Sequence, residues 1–511
     1  MPATTPKTPI FLWITNGLNS DHMVKMCVFA FRISVSPTAR SATTVKGCSF
    51  AFAGLGDSDH LAFPKRSPTG DDLGTTDETI MTISPTEGWF PRWKLTTADR
   101  VAPEERLPWP QTLIAGFQHV VAMFGSTVLA PIIMGFDPNV AVLFSGLGTL
   151  IFFLVVGGRV PSYLGSSFAF IAVVIAASGY SGTGPNTNIS VALGGIIAAG
   201  AVYALIGLIV IKIGYGWVEK LMPPVVTGAI VAAIGLNLAP IAVKGISATG
   251  FDRTVGLITI VAVGAAAVYA PGMLRRIPVL IGGLVGYIVY WLGAASYGDA
   301  PIDFSKLDAT PWFGLPTFTA PTFSLSAMAL IAPVAIILVA ENLGHIKAIG
   351  AMTGRSLDPY MGRAFLGDGL ATMLSGAFGG TGVTTYAENM GVMAVTKIYS
   401  TLIFVVAAVI AILLGFSPKF GALIGTVPGP VIGGLSIVIF GLITATAGRI
   451  WVENKVDFSE TKNLITTAAA VIAGAGDLTL NIGGFTLGGI GTATFGAILL
   501  YALLDRGPKR A

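Results

Sequence analysis

The sequence predicts an all-α polytopic membrane protein with about fourteen transmembrane segments, arranged as two inverted repeats of about seven. Three observations lead there. Of 511 residues, 53% are hydrophobic and 11% charged, whereas soluble domains carry about 25% charged residues. Apolar stretches recur from Gln111 to the end of the chain. A pattern around residue 224 also returns around residue 430.

Residues 1–105 form a polar N-terminal extension rich in Ser, Thr and Pro. Its main apolar stretch, around Val24–Val35, contains Lys25 and Arg32 and is too short to span a bilayer. The same basic residues argue against a cleaved secretory signal. Met81 opens MTISPTEGWFPRWKLTTADR, which reads as a natural start. Residues 1–80 are therefore expected to be disordered or to precede the true start, with a regulatory tail as the alternative. Both cysteines, Cys27 and Cys48, lie in this extension, which excludes a disulfide framework or a Cys-based metal site in the rest of the chain. A net charge of +4 gives no ground for a nucleic-acid partner.

The membrane domain, 106–505, reads as segments at 111–134, 139–156, 164–180, 190–211, 221–243, 255–271, 278–296, 324–345, 362–378, 384–396, 400–416, 429–446, 463–475 and 487–504, followed by a tail at 506–511. With the N-terminus inside, most basic loop residues, including Arg159, Lys220, Arg275, Arg355, Arg449 and the terminal Arg506, fall on the cytoplasmic side. Lys244, Arg253, Lys306 and Lys419 are exceptions. The asymmetry places both termini in the cytoplasm.

Pro224-Val225-Val226-Thr227-Gly228 and Gly235-Leu236 return, at one constant offset, as Pro430-Val431-Ile432-Gly433-Gly434 and Gly441-Leu442. A second echo pairs Ser166-Ser167-Phe168 with Thr384-Thr385-Tyr386. An odd number of segments separates the copies, so the second is inverted in the membrane, and transporters hold substrate where such copies meet. Each member of the second echo follows a break, Val160-Pro161 with Gly165 in one and Gly379-Gly380-Thr381-Gly382 in the other. Extended backbone at membrane depth must be paired or line a cavity. Two short strands, in broken helices 3 and 10, are thus expected to pair, with the half-helices after them aiming N–H groups at substrate; the alternative is two ordinary kinked helices.

Two acids sit within these apolar segments. Glu341 ends the otherwise uncharged run SLSAMALIAPVAIILVAE, and Glu388 lies in GGTGVTTYAENMGVMAVTK. Charge at membrane depth is costly and marks function by default, although a structural hydrogen bond to backbone is the alternative. Two carboxyl groups can accept from ring N–H groups while backbone N–H donates to ring carbonyls. Phe168 and Tyr386 are candidates to flank the ring faces, or plain packing residues. His345, four residues after Glu341 on the same helix face, is a candidate to share a proton with it. Gln118 and His119 in the first segment are candidates for the same polar network. Asp368 is a further buried-acid candidate, but its glycine neighbours suggest a helix contact, which leaves it outside the core site. No phosphate loop or nucleophile triad is present, which argues against an ATP-driven pump or an enzyme.

With these motifs the chain resembles the nucleobase–ascorbate transporters, whose signature is Q/E/P-N-x-G, four residues, then Thr and usually a basic residue or Gly. Glu388-Asn389-Met390-Gly391 followed by Thr396-Lys397 matches it in full, and Gln118-His119, YLGSSFAF from Tyr163 and Ala340-Glu341-Asn342-Leu343-Gly344-His345 match further motifs in order. Glu at the signature's first position, with SSFAF and Glu-x-x-x-His, is similar to the bacterial uracil permeases. The resemblance implies core and gate domains, a homodimer in the cell membrane with lipid around it, and proton-coupled uptake of uracil with no cofactor other than the proton. It implies substrate contacts from Glu341, Glu388 and the backbone near Ser167, Phe168 and Ala387, proton coupling through His345, and support from Asn389. Ala387 stands where uracil permeases carry Gly, and Asn342 where His is frequent. These departures leave room for thymine or purine substrates such as xanthine. An anion exchanger of the same architecture is disfavoured by two acids at the pocket, and a non-transporting receptor or scaffold has no need of them.

Overall fold

The computed structural model describes residues 88–506 apart from 181–183, 273, 298 and 483–484, so the expectations for residues 1–80 and for the tail beyond 506 lie outside the described residues. The chain opens with two short strands, β1 (Lys94–Leu95) and β2 (Glu105–Arg106), paired in parallel. Then follow α1 (Trp109–Met134), with Pro110 in its first turn, and α2 (Pro138–Val155), whose N-cap Asp137 accepts from Asn139 N. The third predicted segment is broken, as β3 (Leu164–Ser166), a 3₁₀ turn (Phe168–Phe170) and α3 (Ile171–Ser178). Next come α4 (Ile189–Ile213), α5 (Gly216–Leu221), α6 (Pro224–Asn237), α7 (Ala239–Gly245), α8 (Gly250–Tyr269), α9 (Pro278–Tyr297) and α10 (Ser305–Ala309).

The second half begins with α11 (Leu325–Ile331) and α12 (Val334–Thr353), interrupted at Pro333, and α13 (Met361–Ala377). The tenth predicted segment is broken like the third, into β4 (Val383–Thr385) and α14 (Ala387–Thr396). Then come α15 (Thr401–Gly415), α16 (Pro418–Gly425), α17 (Gly429–Glu453), α18 (Thr461–Ala475), the hairpin of β5 (Leu480–Ile482) and β6 (Phe485–Leu487), and α19 (Gly489–Asp505). Among the described residues, 8 helices are long and apolar enough to cross a membrane, and the pair α15 and α16, bent by 79°, brings this to 9. The other predicted segments are present as the shorter α3, α13, α14, α18 and α19.

The helices pack in two groups. In one, α4 lies on α13, α2 on α13 and α15, and α1 on α15. In the other, α6 lies on α17 and α18, α8 on α9 and α17, and α18 on α19. Small residues permit the closest approaches. A Cβ at Gly207 of α4 would sit 2.4 Å from the backbone N of Leu366 on α13, and one at Gly235 of α6 would sit 2.6 Å from the Phe440 carbonyl oxygen on α17. The repeated PV(V/I)(T/G)G and GL patterns therefore mark α6 and α17, which are direct packing partners in the second group.

A candidate substrate site at the paired half-helices

The two broken segments meet in the first helix group. β3 and β4 pair antiparallel, with Leu164 opposite Thr385, Gly165 opposite Thr384 and Ser166 opposite Val383. The ladder extends through Ser167 N to Gly382 O (2.9 Å) and Tyr386 N to Tyr163 O (3.0 Å). Their backbone polar groups are thereby satisfied at membrane depth. Each strand runs straight into a helix start, whose first-turn N–H groups have no partner within the helix. In the first repeat the Ser167 hydroxyl caps this start, accepting from Ala169 N at 3.3 Å. In the second repeat the first turn of α14 carries Glu388, where a negative charge suits the helix N-terminus.

The Ser126 hydroxyl of α1 donates a short hydrogen bond to Glu388 Oε1. Glu388 and Ala387 are nevertheless exposed, although Ser126, Tyr386 and Asn389 around them are buried. α14, which carries this carboxyl, contacts α1 and α12. Glu341 is half-buried on α12, the helix that contacts α14. Phe168 is also half-buried, its ring edge-on to Phe440 of α17 at 5.9 Å, and so reaches the second helix group. α12, which carries Glu341, contacts both the Phe168 turn and α14, which carries Ala387 and Glu388.

Other residues stand differently from the sequence reading. Tyr386 takes the packing role, the alternative the sequence had left open for it. It is 4% exposed, its hydroxyl donates to Ser166 O at 2.8 Å and accepts from Thr127 Oγ1 at 3.2 Å, and its ring fills the space a side chain at Gly165 would need. It locks the two strands together. His345 is half-buried, and its Nδ1 is bonded to Thr385 Oγ1 at 2.8 Å; no hydrogen bond joins it to Glu341 among the described residues. His119 and Asn389 are joined, with Asn389 Nδ2 lying 3.0 Å from His119 Nδ1 and donating to His119 O at 3.0 Å, which fastens α14 to α1. Gln118 is buried beside them with its Nε2 unpartnered.

Asp368, a buried-acid candidate that the sequence reading left outside the site, anchors a buried cluster. Asp368 of α13 is fully buried, and its Oδ2 accepts from Asn342 Nδ2 at 2.7 Å and from the Tyr203 hydroxyl at 3.4 Å. Asn342 Nδ2 also donates to Tyr203 at 2.8 Å, and Thr385 Oγ1 lies 3.5 Å from Asn342 Oδ1. A polar chain thus runs from His345 through Thr385 and Asn342 to Asp368. An acid in an apolar helix was the available signal, and its glycine neighbours pointed to packing instead. Ser126 gave no signal, because a hydroxyl in a membrane helix ordinarily bonds its own backbone, and Thr385 was marked only as part of the second echo, not as a partner of His345.

Membrane-length helices packed around paired half-helices define a multi-pass membrane protein, and its permease relatives make it a transporter rather than an enzyme. Residues 110–483 match the permease family of xanthine and uracil transporters, and the chain belongs to this nucleobase–ascorbate transporter family. It is 63% identical over 422 residues to RutG of Escherichia coli, assigned as a pyrimidine permease, covering 82% of this chain and 96% of that one. The uracil permease of Bacillus caldolyticus is 41% identical over 417 residues, covering 78% and 94%. The fold is also that of the transmembrane domain of the cyanobacterial bicarbonate transporter BicA, with a TM-score of 0.55, 15% identity, and coverage of 76% of this chain and 96% of that one. The murine anion transporter Slc26a9 gives a TM-score of 0.52 at 13% identity, covering 77% and 68%. At such identities the likeness is one of architecture alone.

Proposed function

We propose that the chain is a proton-coupled symporter that imports uracil across the cell membrane by alternating access. The observation that carries this reading is the position of Glu388, exposed in the first turn of α14, a helix that contacts the Glu341-bearing α12. A pyrimidine-dione ring offers N–H donors and carbonyl acceptors on one edge. The carboxylates accept from the ring N–H groups, and first-turn N–H groups of α14 and of the Phe168 turn donate to the carbonyls. Phe168 covers one ring face.

Proton entry is assigned to His345 and Glu341. With Nδ1 engaged by Thr385, Nε2 of His345 is the nitrogen left to take up a proton. Uracil is neutral near physiological pH, so each proton carried with it lets the membrane potential contribute about 2.3 kcal/mol per 100 mV. The first helix group, carrying the loaded half-helices, then moves against the second. Both termini are placed in the cytoplasm and the assembly is taken as a homodimer. The pyrimidine and uracil permeases among the relatives support uracil over xanthine.

Uptake of labelled uracil into proteoliposomes, with and without an inward proton gradient, tests the reading. Gradient-stimulated uptake that thymine, xanthine and adenine compete for less well than uracil is expected. Bicarbonate or sulfate flux without nucleobase flux would overturn it in favour of anion exchange.

A further inference from the structure

The segment before α1 lies upstream of the residues that match the family, yet it is stitched to the ends of the two helices that carry the acids. Val101 pairs in parallel with Ile398, its N–H donating to Lys397 O at 3.0 Å and its carbonyl accepting from Tyr399 N at 2.8 Å. Pro103 O accepts from both Thr401 N and Thr401 Oγ1 at 3.0 Å, and Trp93 Nε1 donates to Thr401 Oγ1 at 3.0 Å. These bonds grip the C-terminal end of α14, where Lys397 adopts a left-handed φ of 57° that a non-glycine residue rarely holds unaided. The same segment grips the end of α12. Arg100 Nη2 donates to Met352 O at 3.1 Å, and the Glu104 carboxylate accepts a two-pronged ion pair from Arg355 at 2.6 and 2.7 Å.

We infer that residues 93–104 form a clasp that sets the spacing between α12 and α14 and thereby positions Glu341 against Glu388. From Met352 to Glu341 is about 16 Å along α12, and from Lys397 to Glu388 about 14 Å along α14, at 1.5 Å per residue. Rigid helices of that length carry a displacement at the clasp to the acids. Glu104 and Arg355 are therefore positioning residues that touch no substrate. Just upstream of the clasp, Trp89 Nε1 donates to Leu154 O of α2 at 3.1 Å, so the segment before α1 bonds elements of both repeats. This inference rests on the proposed site for its link to transport, but not for the coupling between clasp and half-helix.

The test uses the full-length chain with Glu104→Gln, Arg355→Gln and the swap Glu104→Arg with Arg355→Glu, each compared with wild type. Amide hydrogen exchange across residues 386–401 and the KM and maximal rate of uracil uptake are measured. The single variants are expected to exchange at least fivefold faster across this span and to raise KM several-fold, with the swap recovering most of both. Faster exchange confined to residues 88–107, with 386–401 and KM unchanged, would overturn the inference. So would a swap that behaves as badly as the single variants. If wild type takes up no uracil, the proposed function fails, and the exchange arm still decides the clasp.

Discussion

The two broken segments are built alike and used differently. In the first repeat, β3 leads into a turn capped by Ser167, in which Phe168 is half-buried. In the second, β4 leads into α14, whose first turn presents Glu388 and whose next residue, Asn389, fastens to His119. Each arm needs the other for its hydrogen bonds. An inverted repeat thus supplies a paired frame, and divergence then places backbone donors and an aromatic ring on one arm and charge on the other.

If charge is concentrated on one arm, substitutions of the two arms should differ sharply. Glu388→Gln removes a charged acceptor, and uptake is expected to fall by about tenfold to a hundredfold. Uptake within twofold of wild type would refute the division of labour. Gly165→Ala attacks the shared frame. Its Cβ would lie 2.4 Å from the Tyr386 ring and 2.6 Å from Thr127 Oγ1, an overpacking that costs about 1–3 kcal/mol. A lower melting temperature of the purified protein is expected, and an unchanged one would show that the strands do not need this close approach.

His345→Leu should separate coupling from binding. Uracil counterflow is expected to persist while accumulation driven by a proton gradient is lost; equal loss of both would make His345 a binding residue. Ser167→Ala removes only the cap of the first arm, about 1 kcal/mol, and uptake is expected to drop no more than about fivefold. A larger loss would mean that its hydroxyl serves the substrate directly.

The smallest effect concerns pH at the clasp. Burial raises the Glu104 carboxyl, but the Arg355 hydrogen bond and charge, with Arg159 nearby, outweigh it and hold the group below its ordinary value of 4.5. A carboxyl depressed on folding contributes stability above its unfolded value and loses it as pH falls through the folded one. After correction for the intrinsic pH dependence of exchange, protection across 386–401 is expected to be flat from pH 8 to about 5 and to fall only below about 4.5. A fall between pH 7 and 6 would contradict this.

Much of the fold was legible because its signals are local. Span-length apolar runs, the glycine breaks before Ser166 and Val383, and Glu388 after the second break can all be read within a short window. The bend between α15 and α16 has a weaker local sign, a lone Pro418. The site's finer geometry depends on contacts between distant residues. Ser126 reaches Glu388 across 262 positions, and Thr385 joins His345 from another helix. Tyr386 looked like a ring-flanking aromatic, because nothing beside it in the sequence reveals that its hydroxyl is held by Thr127 and Ser166. The clasp was hidden for the same reason. Its residues, from Trp93 to Glu104, appeared to belong to the polar extension until their partners some 250–300 positions away were in view.

Equilibrium binding of labelled uracil to the purified protein is the most direct test of the two-carboxyl site. Wild type should bind saturably, Glu341→Gln and Glu388→Gln should each weaken binding by at least tenfold, and Asp303→Asn, in an exposed loop, should not. Binding by both glutamate variants at wild-type affinity would contradict the account.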